Sequence, residues 1–205
     1  MSDKNPFKRT LWTDRSVEET VEMYTDWADS YEADVSGRGY CTPFRMAEAL
    51  KSFRDDFSGP ILDFGCGTGF SGTALVSAGF HELHGTDITP DMLKKAEEKQ
   101  IYQKLWIGTA GAAPAKTGEY SCIFAAGVIS LGAAPPSTLT QCLDALESSG
   151  LLVISFNQPT VEDGSYNKVL DAEVSRNRAE IIFHETGPHF DDIDMTSDVI
   201  ILRRK

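Results

Sequence analysis

The spacing of hydrophobic positions changes along the chain and divides it into two parts. Residues 16–35 and 43–53 carry apolar side chains at helical spacing, whereas from Pro60 onward short apolar runs alternate with helical stretches. No repeat and no linker long enough to separate domains interrupts this pattern. The sequence therefore predicts one domain, with an N-terminal helical segment over residues 1–57 and a strand–helix core over residues 58–205.

Seven apolar runs in the core have the length of buried strands. Because helical stretches separate most of them, they are predicted to form a mostly parallel sheet with helices on both faces. This pattern predicts an α/β fold, a Rossmann-like three-layer sandwich, with the N-terminal helices as a lid. One of the core helices is predicted over residues 136–149. The predicted strands are 61–65, 82–88, 104–110, 121–128, 151–157, 180–185 and 197–204.

The composition is that of an ordinary globular protein, and the charge narrows the possible partners. Of 205 residues, 41% are apolar and 24% are charged, and 19 Lys and Arg against 31 Asp and Glu give a formal net charge of −12. A chain this acidic repels a phosphate backbone, and its clustered cations are Arg203, Arg204 and Lys205. We therefore do not expect nucleic acid as the substrate.

Targeting and cysteine patterns give expectations about the compartment. The first residues have no apolar core of signal-peptide length, and no run approaches the ~18 apolar residues that span a membrane. Cys41, Cys66, Cys122 and Cys142 are scattered without a metal-binding spacing. We expect a cytoplasmic protein with no membrane contact, no disulfide framework and no bound metal.

The segment ILDFGCGTG, residues 61–69, has glycine at every second position from 65 to 69, where the first predicted strand ends. Gly65, Gly67 and Gly69 form this series. The dinucleotide fingerprint has its third glycine one position later, where this chain has Phe70. Since ligands bind at the carboxyl ends of the strands in open parallel sheets, the turn is a predicted cofactor site.

Two aspartates accompany the glycine turn. Asp87 ends the second predicted strand, where a carboxylate can accept hydrogen bonds from both ribose hydroxyls of an adenosine. Asp63 precedes the glycines and is predicted to lie under the turn, facing a ligand ammonium group or fixing the backbone amides of the loop. Together they favour a nucleotide-type cofactor over a plain strand-to-helix turn.

Three segments resemble the successive motifs of class I S-adenosylmethionine-dependent methyltransferases: ILDFGCGTG, GTDITPDMLKKA and SSGLLVISF. Two more resemble, more narrowly, the methyltransferase-like proteins named after the Williams–Beuren syndrome chromosome region: YTDWADSYEADV and YQKLWIGTA. The resemblance covers residues 20–156. It implies a seven-stranded sheet with an antiparallel last strand. It also implies S-adenosylmethionine as cofactor, S-adenosylhomocysteine as product and methyl transfer to an acceptor.

The same resemblance assigns parts of the cofactor to residues. The methionyl part lies against the glycine turn, the ribose against Asp87 and the adenine against Ile88. Where many relatives have an adenine-binding aspartate after the third strand, this chain has Gly-Thr-Ala, so Thr109 or the backbone takes that role. The implied cofactor-binding residues are Tyr24, Tyr31, Asp63, Gly65, Cys66, Gly67, Asp87, Ile88, Met92, Thr109, Ala110 and Gly127.

The acceptor is predicted to bind at the same edge of the sheet. Connections that leave the fourth and fifth strands place it near Val128, Ile129 and Asn157. His189 lies between the last two strands, either at the rim of this site, where it could act as a base, or in a solvated turn. The candidates for a catalytic role are Tyr31, His189 and Asn157.

An aromatic stripe runs along the N-terminal helical stretch. Tyr24 and Tyr31 are predicted to face the sulfonium, because aromatic faces attract cations, whereas Trp27 is predicted to be core. We expect residues 16–35 to act as a lid that is loosely held without cofactor and docks when it binds.

The sequence gives indirect indications about the methyl acceptor and leaves two alternative functions open. An acidic, compact chain without a recognition domain favours a small-molecule acceptor. No Asn/Asp-Pro-Pro-Tyr signature follows the fourth strand, which argues against amino methylation of adenine or glutamine. A binding-only protein that senses or sequesters S-adenosylmethionine is one alternative. An NAD-dependent oxidoreductase is the other, and Phe70 and Asp63 disfavour it.

Overall fold

The computed structural model describes residues 11–205, so the first ten residues of the predicted N-terminal segment lie outside the described part. A capping box starts the first helix, with Ser16 Oγ accepting from the Glu19 amide and the Glu19 carboxylate accepting from the Ser16 amide. The elements before the sheet are α1 (Val17–Trp27), α2 (Tyr31–Ser36), α3 (Thr42–Lys51) and a 3-10 turn (Arg54–Asp56).

The helix predicted over residues 16–35 is two helices in the structure. The chain turns after α1, where the Ser30 amide donates to the Trp27 carbonyl at 3.0 Å. Asp34 Oδ2 accepts from Trp27 Nε1 at 2.7 Å and from Ser30 Oγ at 2.9 Å. Because the buried indole needs an acceptor, these bonds fix α2 against the end of α1. The prediction of one continuous helix is wrong.

The core is a seven-stranded sheet with the strand order β3-β2-β1-β4-β5-β7-β6. Only β7 runs antiparallel, pairing with both β5 and β6, which confirms the predicted fold class. The elements are β1 (Ile61–Phe64), α4 (Phe70–Ser77), β2 (Leu83–Asp87), α5 (Pro90–Glu98), β3 (Lys104–Ile107), β4 (Tyr120–Ala125), α6 (Ser137–Ala145), β5 (Leu146–Asn157), α7 (Gln158–Asp163), α8 (Ser165–Ser175), β6 (Ala179–Pro188) and β7 (Thr196–Arg204).

Alternate side chains of the central strands enter two separate cores. On β5, Leu152 and Ile154 pack with α6 and α8, whereas Leu151 and Val153 pack with α3 and α4. All four are fully buried, which is why the strand reads as a continuous apolar run. The sheet is therefore the middle of three layers.

The fifth strand begins earlier than predicted. α6 ends at Ala145 rather than at residue 149, and Leu146 has extended backbone angles. Leu146 is fully buried and pairs with Tyr120 of β4, so β5 begins at this residue. Ser149 has a φ of +67°, and residues 147–150 form a bulge before the regular pairing resumes. The last turn of the predicted helix is wrong.

Two further observations concern the membrane and the thiols. Among residues 11–205, no helix is long and apolar enough to cross a bilayer. All four cysteines are free. Burial raises the pKa of the Cys142 thiol to about 12 and also raises the pKa of Cys122, which keeps both protonated and unreactive.

Candidate functional site

A cavity of about 530 Å³ opens at the carboxyl ends of β1 to β4, where the strand order reverses. We call it the main cavity. Its size lies in the range of cofactor sites, and its walls are the turns after these four strands together with α1 and α2. The predicted cofactor residues that line it are Tyr24, Tyr31, Gly65, Gly67, Asp87, Ile88, Met92, Thr109, Ala110 and Gly127.

The glycine turn presents bare backbone to the main cavity. Gly67 has a φ of +52°, and a Cβ placed on it would meet no other atom within 4 Å. Gly65 has no room for a side chain, because a Cβ there would lie 2.5 Å from Val128 Cγ2. A side chain at Gly67 would therefore extend into the cavity, whereas one at Gly65 would collide with the turn after β4.

Asp87 holds the glycine turn and also lines the main cavity. Its Oδ2 accepts from the Gly67 amide at 2.9 Å, and its Oδ1 accepts from the Thr89 amide at 2.8 Å. Burial raises the pKa of Asp87, while the backbone hydrogen bonds from Thr89 and Gly67 lower it. Each carboxylate oxygen can accept a further hydrogen bond, so the side chain remains able to bind two hydroxyls.

Several lining residues were not identified from the sequence. Trp106 and Ile107 of β3 and Pro114 in the segment after it line the cavity, as does Arg15, which precedes α1. The only signal in the sequence is position, since the segment after β3 leaves the sheet at the same edge as the glycine turn. Met92, a predicted cofactor residue, is only 2% exposed and forms part of the floor.

The aromatic stripe closes the main cavity from above the sheet. Tyr24 and Tyr31 line it with ring centroids 6.4 Å apart, whereas Trp27 is 3% exposed and packs as core, as predicted. Burial raises the pKa of both tyrosines, and that of Tyr31 is raised well above its usual value. Both phenols therefore stay neutral.

A carboxylate on the predicted lid connects it to the glycine turn, and sequence reasoning missed this carboxylate. Glu32 of α2 accepts from Thr68 Oγ1 at 2.7 Å, and Lys99 pairs with it at 2.9 Å. Asp29 pairs with Lys95 of α5 at 2.9 Å. Because Thr68 belongs to the glycine turn, the position of the lid is coupled to the segment predicted to hold the cofactor.

Two predicted cofactor residues lie outside the main cavity. Asp63 is fully buried behind the turn, where its Oδ2 accepts from Ser71 Oγ at 2.7 Å and from Tyr102 OH at 2.6 Å. The structure therefore places Asp63 outside the lining of the main cavity and bonds it to two side chains rather than to the amides of the loop. Cys66 is 2% exposed, and its side chain packs beside α5. The prediction that these two residues contact the cofactor is therefore corrected. Alternation along β1 directs Asp63 toward the α4 layer, and Cys66 packs against α5 instead of facing the cavity.

Replacing Asp63 by asparagine is expected to flatten the pH dependence of the free energy of unfolding between pH 4 and pH 7. Burial raises the pKa of Asp63 from 3.8 to about 7, so the folded state binds more protons in this window. Its stabilising effect is complete below the unfolded pKa and is lost as the pH rises through the folded one, a change of at most about 4 kcal/mol. Urea unfolding at several pH values measures it, and an unchanged slope in Asp63→Asn would assign the effect to another group.

A second, smaller space adjoins the main cavity. This side chamber, about 90 Å³, shares Tyr24, Tyr31, Ala126, Gly127 and Ala133 with the main cavity. Its other lining residues include Tyr40, Asn157 and His189. The predicted acceptor residues are thus divided: Asn157 and His189 line the side chamber, and Val128 lines the main cavity. Ile129 is fully buried in the core instead.

His189 is buried, so the prediction of a solvated turn is wrong. It is 5% exposed, its ring centroid lies 5.0 Å from that of Tyr40, and its Nδ1 shares a hydrogen bond of 2.9 Å with Thr42 Oγ1. Burial, with a smaller contribution from the Arg45 guanidinium, lowers the pKa of His189 to about 4. At neutral pH the imidazole is uncharged and a weak base, which argues against the catalytic role suggested for it.

Metal-assisted chemistry has no candidate site in this region. Within residues 11–205, no group of three or more His, Cys, Asp or Glu side chains is arranged to hold a metal ion. The polar groups that line the two spaces include a carboxylate, a guanidinium, phenols, hydroxyls, side-chain amides, an imidazole and backbone amides. Such a set suits an organic ligand rather than an ion.

Comparisons with known proteins agree with this geometry. Residues 61–150 match the methyltransferase domain family. Human methyltransferase-like protein 27 is 29% identical over 160 residues, which cover 76% of this chain and 64% of that protein. This chain therefore spans less than two thirds of the length of that curated relative.

Solved structures share the fold across nearly the whole chain. The 4+2 cyclase SpnF has a TM-score of 0.70 at 14% identity, covering 94% of this chain and 98% of that one. An S-adenosylmethionine-dependent methyltransferase from Leishmania major has a TM-score of 0.70 at 11% identity, covering 97% of this chain and 85% of that one. The family match is thus limited to residues 61–150, and the solved structures show that nearly the whole chain shares the fold of an S-adenosylmethionine-dependent methyltransferase.

Proposed function

We propose that the protein binds S-adenosylmethionine in the main cavity and transfers its methyl group to a small-molecule acceptor, leaving S-adenosylhomocysteine. The observation that carries the proposal is the glycine turn held to Asp87. It combines open backbone at Gly67 with a ribose-binding carboxylate at one edge of a cofactor-sized cavity. The methyltransferase domain matched over residues 61–150 supports the same function.

The residues present fit this cofactor. Gly67 offers a cradle that a Cβ would fill, and Ile88 and Met92 supply apolar surface for an adenine. Thr86 Oγ1 is buried at the wall of the cavity without a hydrogen-bond partner among the described residues, which a polar ligand can satisfy. Asp87 would hold the ribose.

Bound S-adenosylmethionine supplies a methyl group already activated on a sulfonium, so the protein mainly has to align it and exclude water. The neutral rings of Tyr24 and Tyr31 cover the cavity and stabilise a cation beneath them. Gly127 lines both the main cavity and the side chamber. Its position marks the passage through which a methyl group reaches an acceptor.

A binding-only role is the second candidate function. The 4+2 cyclase SpnF has this fold at a TM-score of 0.70, so the fold is compatible with functions other than methyl transfer. An NAD-dependent oxidoreductase is less well supported, because Phe70 replaces the third glycine of the dinucleotide fingerprint. We also propose a cytoplasmic location, which the four free cysteines support.

Calorimetry on the full chain with S-adenosylmethionine, S-adenosylhomocysteine and NAD tests the cofactor. We expect the first two to bind and NAD not to bind. Incubation with S-adenosylmethionine tritiated at the methyl group and an acceptor library then tests transfer. Binding without transfer to any acceptor would favour the binding-only role, and selective binding of NAD would overturn the proposal.

The lid should become more ordered when cofactor binds. Glu32 connects α2 to Thr68 of the glycine turn, so a ligand that fixes this turn also fixes the lid. We expect hydrogen exchange in residues 17–36 to slow when S-adenosylhomocysteine is added, while α8 serves as the distant control. Equal exchange in both states would leave the aromatic stripe as ordinary core.

A further inference from the structure

The side chamber is a small space without charged side chains. Its volume of about 90 Å³ has room for roughly six to nine water-sized groups. Of the described residues that line it, none is Asp, Glu, Lys or Arg. It meets the main cavity at Tyr24, Tyr31 and Gly127, so a ligand in it lies beside the end of the main cavity that the lid covers.

Asn157 offers donors to this chamber. It is 6% exposed, and its Oδ1 accepts from the Thr160 amide at 3.1 Å and from Thr160 Oγ1 at 2.7 Å. Thr160 Oγ1 itself accepts from the Leu131 amide, so its proton goes to Asn157. The oxygen of the amide is therefore occupied, and its Nδ2 has no partner among the described residues.

A chain of hydrogen bonds fixes the tautomer of His189. Arg45 donates to Ser197 Oγ at 3.1 Å, Ser197 Oγ lies 2.8 Å from Thr42 Oγ1, and Thr42 Oγ1 lies 2.9 Å from His189 Nδ1. Every hydroxyl proton finds an acceptor only if Ser197 donates to Thr42 and Thr42 donates to His189 Nδ1. The proton of the neutral imidazole then sits on Nε2, which has no partner among the described residues.

Three tyrosine hydroxyls and the guanidinium of Arg15 add further hydrogen-bond donors and positive charge around the chamber. Burial raises the pKa of Tyr24, Tyr31 and Tyr40, so their hydroxyls keep their protons. Arg15 donates at 2.5 Å to the carbonyl of Gly132, which lines the chamber. This places a positive charge directly behind the wall.

We propose that the side chamber binds a small carboxylate and that this carboxylate is the methyl acceptor, an inference that rests on the proposed function. Asn157 Nδ2 and His189 Nε2 are two buried donors without partners among residues 11–205, and an anionic oxygen can satisfy both. In the transfer, an oxygen lone pair forms the O–CH₃ bond while the C–S pair moves to sulfur. The products are a methyl ester and S-adenosylhomocysteine, and no proton is moved.

Other acceptor classes fit the chamber less well. An alcohol must lose a proton, but His189 has Nδ1 occupied and Nε2 protonated, so it cannot act as the base. An amine needs hydrogen-bond acceptors, whereas the oxygen of Asn157 is already bonded to Thr160. A carboxylate arrives deprotonated and needs only donors.

The probe is butanoate, compared with butanamide and butylamine, titrated by NMR into the full chain saturated with S-adenosylhomocysteine. Asn157→Asp keeps the oxygen that caps α7 and replaces the donor by a negative oxygen. Gln158→Glu makes the same charge change on the exposed neighbouring side chain and is the matched control. We expect Asn157→Asp to weaken butanoate binding at least tenfold and Gln158→Glu to change it less than twofold, with S-adenosylhomocysteine affinity unchanged in both.

Methyl transfer is measured in a separate experiment, with S-adenosylmethionine tritiated at the methyl group. We expect butanoate to yield a label that alkali releases as methanol, and His189→Gln, which keeps a donor, to bind butanoate better than His189→Phe. Preference for butylamine, or tighter binding of it in Asn157→Asp, would overturn the proposal. A parallel loss of S-adenosylhomocysteine affinity would overturn it too, because the chamber would then hold the cofactor's own carboxylate. Absence of S-adenosylhomocysteine binding to the unaltered chain would instead refute the proposed function.

Discussion

Replacing Gly67 by valine is expected to lower the affinity for S-adenosylmethionine by at least about a hundredfold, or about 2.7 kcal/mol, while the protein still folds. Gly67 has a φ of +52° and lines the main cavity, and a Cβ placed on it meets no described atom within 4 Å, so we expect the new side chain to extend into the cavity. There it occupies the place where the ligand must approach the backbone. Calorimetry with S-adenosylmethionine measures the loss.

The control for Gly67→Val has to share its backbone strain. A residue with a side chain in the left-handed region costs roughly 1–2 kcal/mol, which lowers stability wherever it occurs. Gly118 has a φ of +74°, a Cβ placed on it would meet nothing within 4 Å, and it does not line the main cavity. Gly118→Val should therefore lose similar stability and keep its affinity. Near-normal affinity in Gly67→Val would mean that the glycine serves only the turn.

The fold could be predicted because its strongest features are local. The central strands are buried on both faces, so a segment such as 151–154 reads as an uninterrupted apolar run. The break between α1 and α2 has no glycine or proline to mark it. It depends on Asp34 accepting from both Trp27 and Ser30, a side-chain arrangement that helical periodicity does not encode.

The position of Asp63 could have been inferred more sharply from the sequence. Successive side chains on a strand point to opposite faces, so Asp63 shares a face with Ile61, while Leu62 and Phe64 share the other. Ile61 packs in the core with α4, and Asp63 accordingly meets Ser71 of that helix. The glycine motif suggested a ligand contact, but the period of the strand decides the direction.

The environment of His189 could not be predicted from local sequence. Its Nδ1 contacts Thr42, which lies 147 residues earlier, and Thr42 in turn contacts Ser197 of β7. Only the packing of α3 against the last strands brings these two hydroxyls and the imidazole together. The same packing removes His189 from solvent and turns a suspected base into a hydrogen-bond donor.

Replacing Asp87 by alanine is expected to weaken S-adenosylmethionine binding by about a hundredfold or more. Charge-assisted hydrogen bonds to two ribose hydroxyls contribute roughly 1.5–3 kcal/mol each. The change also removes the acceptor of the Gly67 amide, so the turn loses its fixed geometry. Calorimetry gives the affinity, and urea unfolding separates the loss of binding from the loss of stability.

Two further variants separate the ribose contact from the support of the turn. Asp91→Ala removes a carboxylate four residues later that pairs with Lys94 and does not line the main cavity, so its affinity should stay within about twofold of the unaltered chain. Asp87→Asn keeps one oxygen for a backbone amide but loses the charge, and its affinity should lie between those of the alanine variant and the unaltered chain. A folded Asp87→Ala protein with undiminished affinity would show that this carboxylate only shapes the turn, and the ribose would then have to be held elsewhere on the cavity wall.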